Sequence, residues 1–150
     1  MKQMEQMETQ GIKQAVEGMI GVLEGFETSL LSDRRDDEVF AVIDKKTFQN
    51  LYYRSLTRLS MYWETFRQGG FSLCRSLAAA DAGAKEEELR ALDLLFQSFL
   101  ALEKAVQNFT EENEALIHGK EETFKVSSLI RIVHALRASA ELFLGQLKAL

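Results

Sequence analysis

A chain of 150 residues, 46% hydrophobic and 27% charged, is long enough to bury one continuous core without disulfides or metals. Its formal charge of −5 and pI near 5.2 give no general attraction to nucleic acid, and neither a zinc-ligand spacing nor an aromatic-basic RNA motif is present. No apolar run approaches the roughly 20 residues that span a bilayer, and "MKQMEQMETQ" lacks the apolar stretch of a signal peptide, so the expectation is a cytoplasmic protein without membrane insertion.

Proline is absent from the chain. Because proline punctuates loops and is least compatible with helix interiors, its absence favours long helices joined by short turns. Polar and β-branched residues nowhere alternate for more than a few positions, so strands have little support.

The first element follows from Ile12, Val16, Met19, Leu23, Phe26 and Leu30, whose 4-3-4-3-4 spacing forms one apolar stripe on a helix over residues 8 to 31. "SDRRDDE" has nothing to bury and reads as a turn. Asp36, Asp37 and Glu38 then place negative charge where a helix begins, which predicts a second helix from there. Its stripe is Tyr52, Leu56, Leu59, Trp63 and Phe66, and Gly69-Gly70 is its expected end.

Residues 71 to 84 read as a short connecting helix and a loop, with Cys74, the only cysteine, a small buried hydrophobe there. A third helix carries heptads, with Leu92, Phe99, Val106 and Asn113 at one position and Leu95, Leu102, Phe109 and Leu116 three residues on. The frame fails at Lys120 and Thr123, which makes Gly119 the boundary with a fourth helix striped by Val126, Leu129, Val133, Leu136, Ala140, Phe143, Leu147 and Leu150. Asn113, at a core heptad position, either fixes the register of the third helix through a polar mate or lies hydrated near its end.

Charge alternates along these segments. Residues 1 to 44 carry net −6, 45 to 75 net +5, 76 to 122 net −7 and 123 to 150 net +3. Neighbours in an up-and-down bundle would thus face opposite charge. The fold class expected is all-α, an antiparallel up-and-down bundle of three long helices plus a C-terminal fourth, in one domain from which 123 to 150 is able to detach.

Chemistry is sparse. No Glu-x-x-His pair exists for a di-iron centre, and Glu114 with His118 reads as a solvated helix end. No phosphate loop, nucleophile elbow or local Cys-His pairing is present, so neither enzymatic activity nor a metal or other cofactor is expected. "VHALRASAELFLG" resembles the histidine phosphotransfer signature, with His134 as acceptor, Arg137 as the basic residue and Ala138 as the small one. That fold needs a further helix after the histidine helix, and its customary glycine is Ala138 here.

The C-terminal helix has more apolar surface than a bundle position needs, adding Ile130, Ile132, Leu142 and Leu144 to its stripe. Such a helix is covered by its own bundle, by a second copy or by a partner. Two stretches, "GMIGVLEGFETSLLSDRRDDEVFAVIDKKTFQNL" and "LEKAVQNFTEENEALIHGKEETFKV", resemble in layout the FlgN-type flagellar export chaperones. That resemblance implies a small, acidic, cytoplasmic helical protein without catalytic activity, binding hook-associated subunits before secretion through its C-terminal part. On that reading Phe124, Leu129, Ile130, Val133, Leu136 and Phe143 offer an apolar face to the amphipathic terminal helix of a secreted subunit. The alternatives are phosphotransfer through His134 and a structural homo-oligomer.

Overall fold

The computed structural model describes residues 2–31, 41–79 and 86–149, with the side chains of residues 2–8, 74, 76–79 and 88 aside. The chain runs α1 (Lys2–Leu31), β1 (Val42–Asp44), α2 (Lys45–Ala79), α3 (Glu86–His118), β2 (Thr123–Lys125) and α4 (Val126–Lys148). The helices form the expected up-and-down bundle, in which α1 lies beside α2 and α4, and α3 lies beside α4 and, more sparsely, α2. Opposed pairs set the antiparallel sense: a side chain at Gly18 would meet Tyr62, and one at Gly69 would meet Ile12.

The stripe of α1 is buried throughout, from Ile12 to Leu30. So is that of α4 from Val126 to Leu147, while Leu150 lies outside the described residues. In α3 the buried line is Leu95, Phe99, Leu102, Phe109, Asn113 and Ile117, with Val106 and Leu116 half-buried against it. Aromatic rings fill both halves of the core. Phe48 stacks on Phe26 at 6.4 Å and on Tyr52 at 6.1 Å and meets Phe124 edge-on at 5.5 Å. Phe66 packs 5.1 Å from each of Trp63, Phe99 and Phe143 in the other half.

Three expectations need correction. Strands do form: β1 and β2 pair antiparallel in the register Val42↔Lys125, Ile43↔Phe124, Asp44↔Thr123. Three residues are too few for a sequence alternation to show, yet Ile43 and Phe124 both turn inward and close one end of the core. The pairing also satisfies a helix end, because the Val126 N–H donates to the Ala41 carbonyl at 2.9 Å where Lys125 supplies no side-chain cap.

The second helix therefore starts at Lys45, later than expected. Asp44 caps it, accepting from the Thr47 N–H at 3.0 Å and the Thr47 hydroxyl at 2.7 Å. Asp36, Asp37 and Glu38 lie outside the described residues, as do residues 80–84 of the connecting helix and loop expected over 71 to 84.

Third, α2 does not stop at Gly69-Gly70 but continues to Ala79. These glycines serve packing. A Cβ on Gly70 would stand 2.4 Å from Cε2 of Phe99, and one on Gly69 would stand 2.9 Å from Cγ1 of Ile12. Both are sites of close approach, which outweighs the backbone entropy that glycine costs a helix.

Gly119 is the boundary expected between the last two helices. Its N–H donates to the Leu116 carbonyl at 3.3 Å, and its own carbonyl accepts from Lys45 Nζ at 2.7 Å.

Candidate functional site

The residues expected to bind a partner are placed in the core. Phe124, Leu129, Val133, Leu136 and Phe143 are each at most 5% exposed, and Ile130 is half-buried against the same cluster. The bundle itself covers the surplus apolar surface of α4, with Ile132 and Leu144 also packed against the core and Leu142 left exposed. In this fold α4 presents none of its stripe to a partner without leaving the bundle. The physical reason is that α1 and α3 flank α4 and take up both sides of that stripe.

Asn113 is buried, and its side-chain amide donates to the Phe109 carbonyl at 2.8 Å, one turn back in the same helix. That bond stays within α3 and aligns it with no neighbour.

His134 and Arg137 face α1. His134 Nε2 lies 2.8 Å from Glu27 Oε1, with its side chain 53% exposed. Arg137 reaches Glu24 at 3.0 Å, Glu27 at 3.6 Å and Glu141 at 3.0 Å. Its guanidinium is held still more firmly protonated than usual, first by the hydrogen bond to Glu141 and, against some desolvation, by the charges of Glu24, Glu141 and Glu27. The spacing that resembled a phosphotransfer signature here builds an ion-pair staple between the acidic first helix and the basic fourth.

A second polar cluster joins α2 to α3. Glu114 Oε2 accepts from the Tyr53 hydroxyl at 3.2 Å and lies 3.1 Å from His118 Nε2. Tyr53 is pushed up by desolvation and then by Glu114. Among the described residues, no group of three or more His, Cys, Asp or Glu stands where it could hold a metal ion. Likewise, no described helix is long and apolar enough to cross a membrane.

Beside this cluster the Tyr52 hydroxyl is fully buried with Thr110 and Glu114 nearby, and among the described residues it makes no hydrogen bond of good geometry. Burial first, and the Glu114 carboxylate second, push it from 10.0 up to about 12. The folded state therefore holds this proton more tightly than the unfolded chain, so the linked stability is fully present below pH 10.0 and is lost as pH rises through about 12. Tyr52→Phe should leave stability at pH 7 unchanged or raise it by up to about 1 kcal/mol, and should flatten the alkaline decline. Urea titrations at pH 7 and between pH 10 and 12 check both limbs; an unaltered alkaline slope in the variant would remove Tyr52 as its source.

The sites that the sequence reading missed are surface ones. Among the described residues, the large apolar side chains left exposed are Tyr53, Met61, Tyr62 and Phe71 on α2, Leu89, Leu94, Phe96 and Leu100 on α3, Val42 on β1 and Leu142 on α4. α1 supplies none. On α3, Leu89, Phe96 and Leu100 follow a 7-4 spacing that continues through Glu103, Gln107, Glu111 and Glu114. This stripe lies one residue, about 100° of helix, beyond the buried line. The Tyr53–Glu114 bond shows that it turns toward α2. On α2 the matching stripe, again one residue past the core, is Tyr53, Ser60, Arg67 and Phe71. The 7-4 spacing was the available signal, but only the buried line could rank it as surface.

On the opposite flank of α3 lies a cleft of about 300 Å³ between α3 and α4, lined by small side chains including Ala101, Ala105, Ala135 and Ser139. Lys104 and Glu112 are its ionisable lining residues, and it holds no nucleophile paired with a base. Comparison of the chain with protein-family models, with curated proteins and with solved structures finds no match.

Proposed function

We propose that this chain is a non-catalytic binding protein of the cytoplasmic export-chaperone kind, holding the amphipathic terminal helix of a hook-associated subunit against its α2–α3 side. The observation that carries the reading is that Tyr53 and Phe71 of α2 and Leu89, Phe96 and Leu100 of α3 stand exposed on the stripes bordering the α2–α3 seam, Phe71 at 60% being the most exposed of them, while the described side chains of α1 include no exposed large apolar one. Contiguous exposed apolar surface marks an interaction site, and a helix laid in a groove is the way helical bundles meet amphipathic segments. Because the α4 stripe is buried, this surface serves a partner without the bundle opening. The layout resemblance to FlgN-type chaperones supplies the class of cargo.

The test is isothermal titration of the full chain with terminal peptides of hook-associated subunits, alongside Phe96→Asp plus Leu100→Asp. Both positions are exposed, so the double variant should keep the parent's thermal midpoint while affinity falls about tenfold or more. Binding unaffected by the double variant but abolished by Leu142→Asp, at the exposed apolar position of α4, would return the site to α4. A concentration-dependent dimer lost in the double variant, with no peptide binding, would make the surface a homo-oligomer interface.

A further inference from the structure

The apolar side chains and the charges of the α2–α3 seam are segregated along its length, and this says what the partner must carry. At one end stand Phe71 from α2 and Leu89, Phe96 and Leu100 from α3. Phe71 has the Arg75 guanidinium 6.0 Å from its ring centre, and Arg67 and Arg75 share its stripe, with Asp93 across on α3. Positive and negative charge are thus both present at this end. Toward the other end the α3 stripe becomes Glu103, Glu111 and Glu114, while α2 opposite offers Tyr53, Leu56, Ser60 and Glu64, with Arg67 at the boundary near the level of Glu103 and no lysine or arginine on that stripe from there to Tyr53. The Tyr53 hydroxyl and Gln107 Nε2 donate to Glu114 and Glu111, bonds that leave the carboxylate charge in place.

From Leu89 to Glu114 the stripe covers roughly 37 Å of helix. We infer that the seam accepts a two-part protein helix, apolar along one half, which lies over Phe71, Phe96 and Leu100, and lysine- or arginine-bearing along the other half, which faces Glu103, Glu111 and Glu114. This deepens the docking reading above and rests on it. The carboxylates of Glu103, Glu111 and Glu114, the last also 3.1 Å from His118 Nε2, steer a basic segment to the seam and set its direction, while the apolar end supplies the residence time. An acidic amphipathic helix would meet like charge and be rejected.

The experiment uses the full chain and two fluorescein-labelled peptides of about 24 residues, long enough to cover the seam. Both carry leucines at helical spacing in one half; the other half holds lysines in one peptide and glutamates in its twin. Fluorescence anisotropy at low salt should show the lysine peptide bound about tenfold or more tightly than the twin, with the gap closing near 1 M salt. E103K combined with E111K should reverse the order, and Phe96→Ser should weaken both peptides. Equal binding of the two peptides, unmoved by E103K/E111K yet still weakened by Phe96→Ser, overturns the charge assignment while the docking surface stands. Binding of neither peptide, or binding indifferent to Phe96→Ser and Phe71→Ser, overturns the docking reading with it.

Discussion

Phe66→Ala is expected to destabilise the bundle by about 3–5 kcal/mol. The ring is fully buried, stacked on Trp63 and tilted or edge-on against Phe99 and Phe143, each 5.1 Å away. One side chain therefore joins α2 to both α3 and α4. Removing it forfeits the transfer energy of the ring and leaves a void that three interlocked aromatic neighbours on separate backbones fill poorly. Against a domain stability on the order of 5–15 kcal/mol, this is a large fraction. The thermal midpoint should fall by roughly 6–20 °C. Urea unfolding should show the loss as a lower midpoint at unchanged slope. Phe71→Ala, five residues further along α2, is the internal control: its ring is 60% exposed, and the cost should stay below about 0.5 kcal/mol. Equal losses at the two positions would contradict the core described above.

Gly70→Leu tests packing against propensity, with opposite signs. On helix propensity alone the replacement gains about 1 kcal/mol, and it would be harmless if the helix ended there. The structure puts Phe99 Cε2 only 2.4 Å from where the first added carbon would sit, and that ring is itself held by Phe66 and Phe143. Overpacking of this kind costs typically about 1–3 kcal/mol, and leucine adds three carbons beyond the first, so a net loss is expected. Gly21→Ala provides the contrast. Gly21 is exposed in α1 with nothing within 4 Å of an added Cβ, so the same chemistry should stabilise by about 0.5–1 kcal/mol. Chemical denaturation of both variants decides the matter: a gain at position 70 would mean that α2 and α3 do not approach as described.

What was legible in the chain follows from periodicity. The stripes Ile12 to Leu30 and Val126 to Leu147 could be read because a helix repeats its buried positions every three or four residues over many turns, and all of these side chains are buried. The break at Gly119 was legible as a loss of phase. Alternating charge along the segments was also legible, and it reappears in space where Arg137 and His134 of α4 meet Glu24 and Glu27 of α1.

The β1–β2 clamp was not, because three residues carry no periodic signal and each strand buries its side chain only when the other, some 80 residues away, arrives. Nor was the course of α2 through Gly69-Gly70. A glycine pair reads locally as a helix end, and only the approach of Ile12 and Phe99 shows why the helix needs both.

The candidate site divides the same way. Sequence alone determined that this protein is a bundle of long helices with surplus apolar side chains, since pattern and composition are local properties of the chain. Which of those side chains remain outside was decided by tertiary structure. α4 has the richest apolar surface and spends it between α1 and α3, while the seam of α2 and α3, the most sparsely joined neighbours, keeps Phe71, Phe96 and Leu100 in solvent. Burial is a property of pairs of elements, and no helix encodes alone which of its faces another will cover.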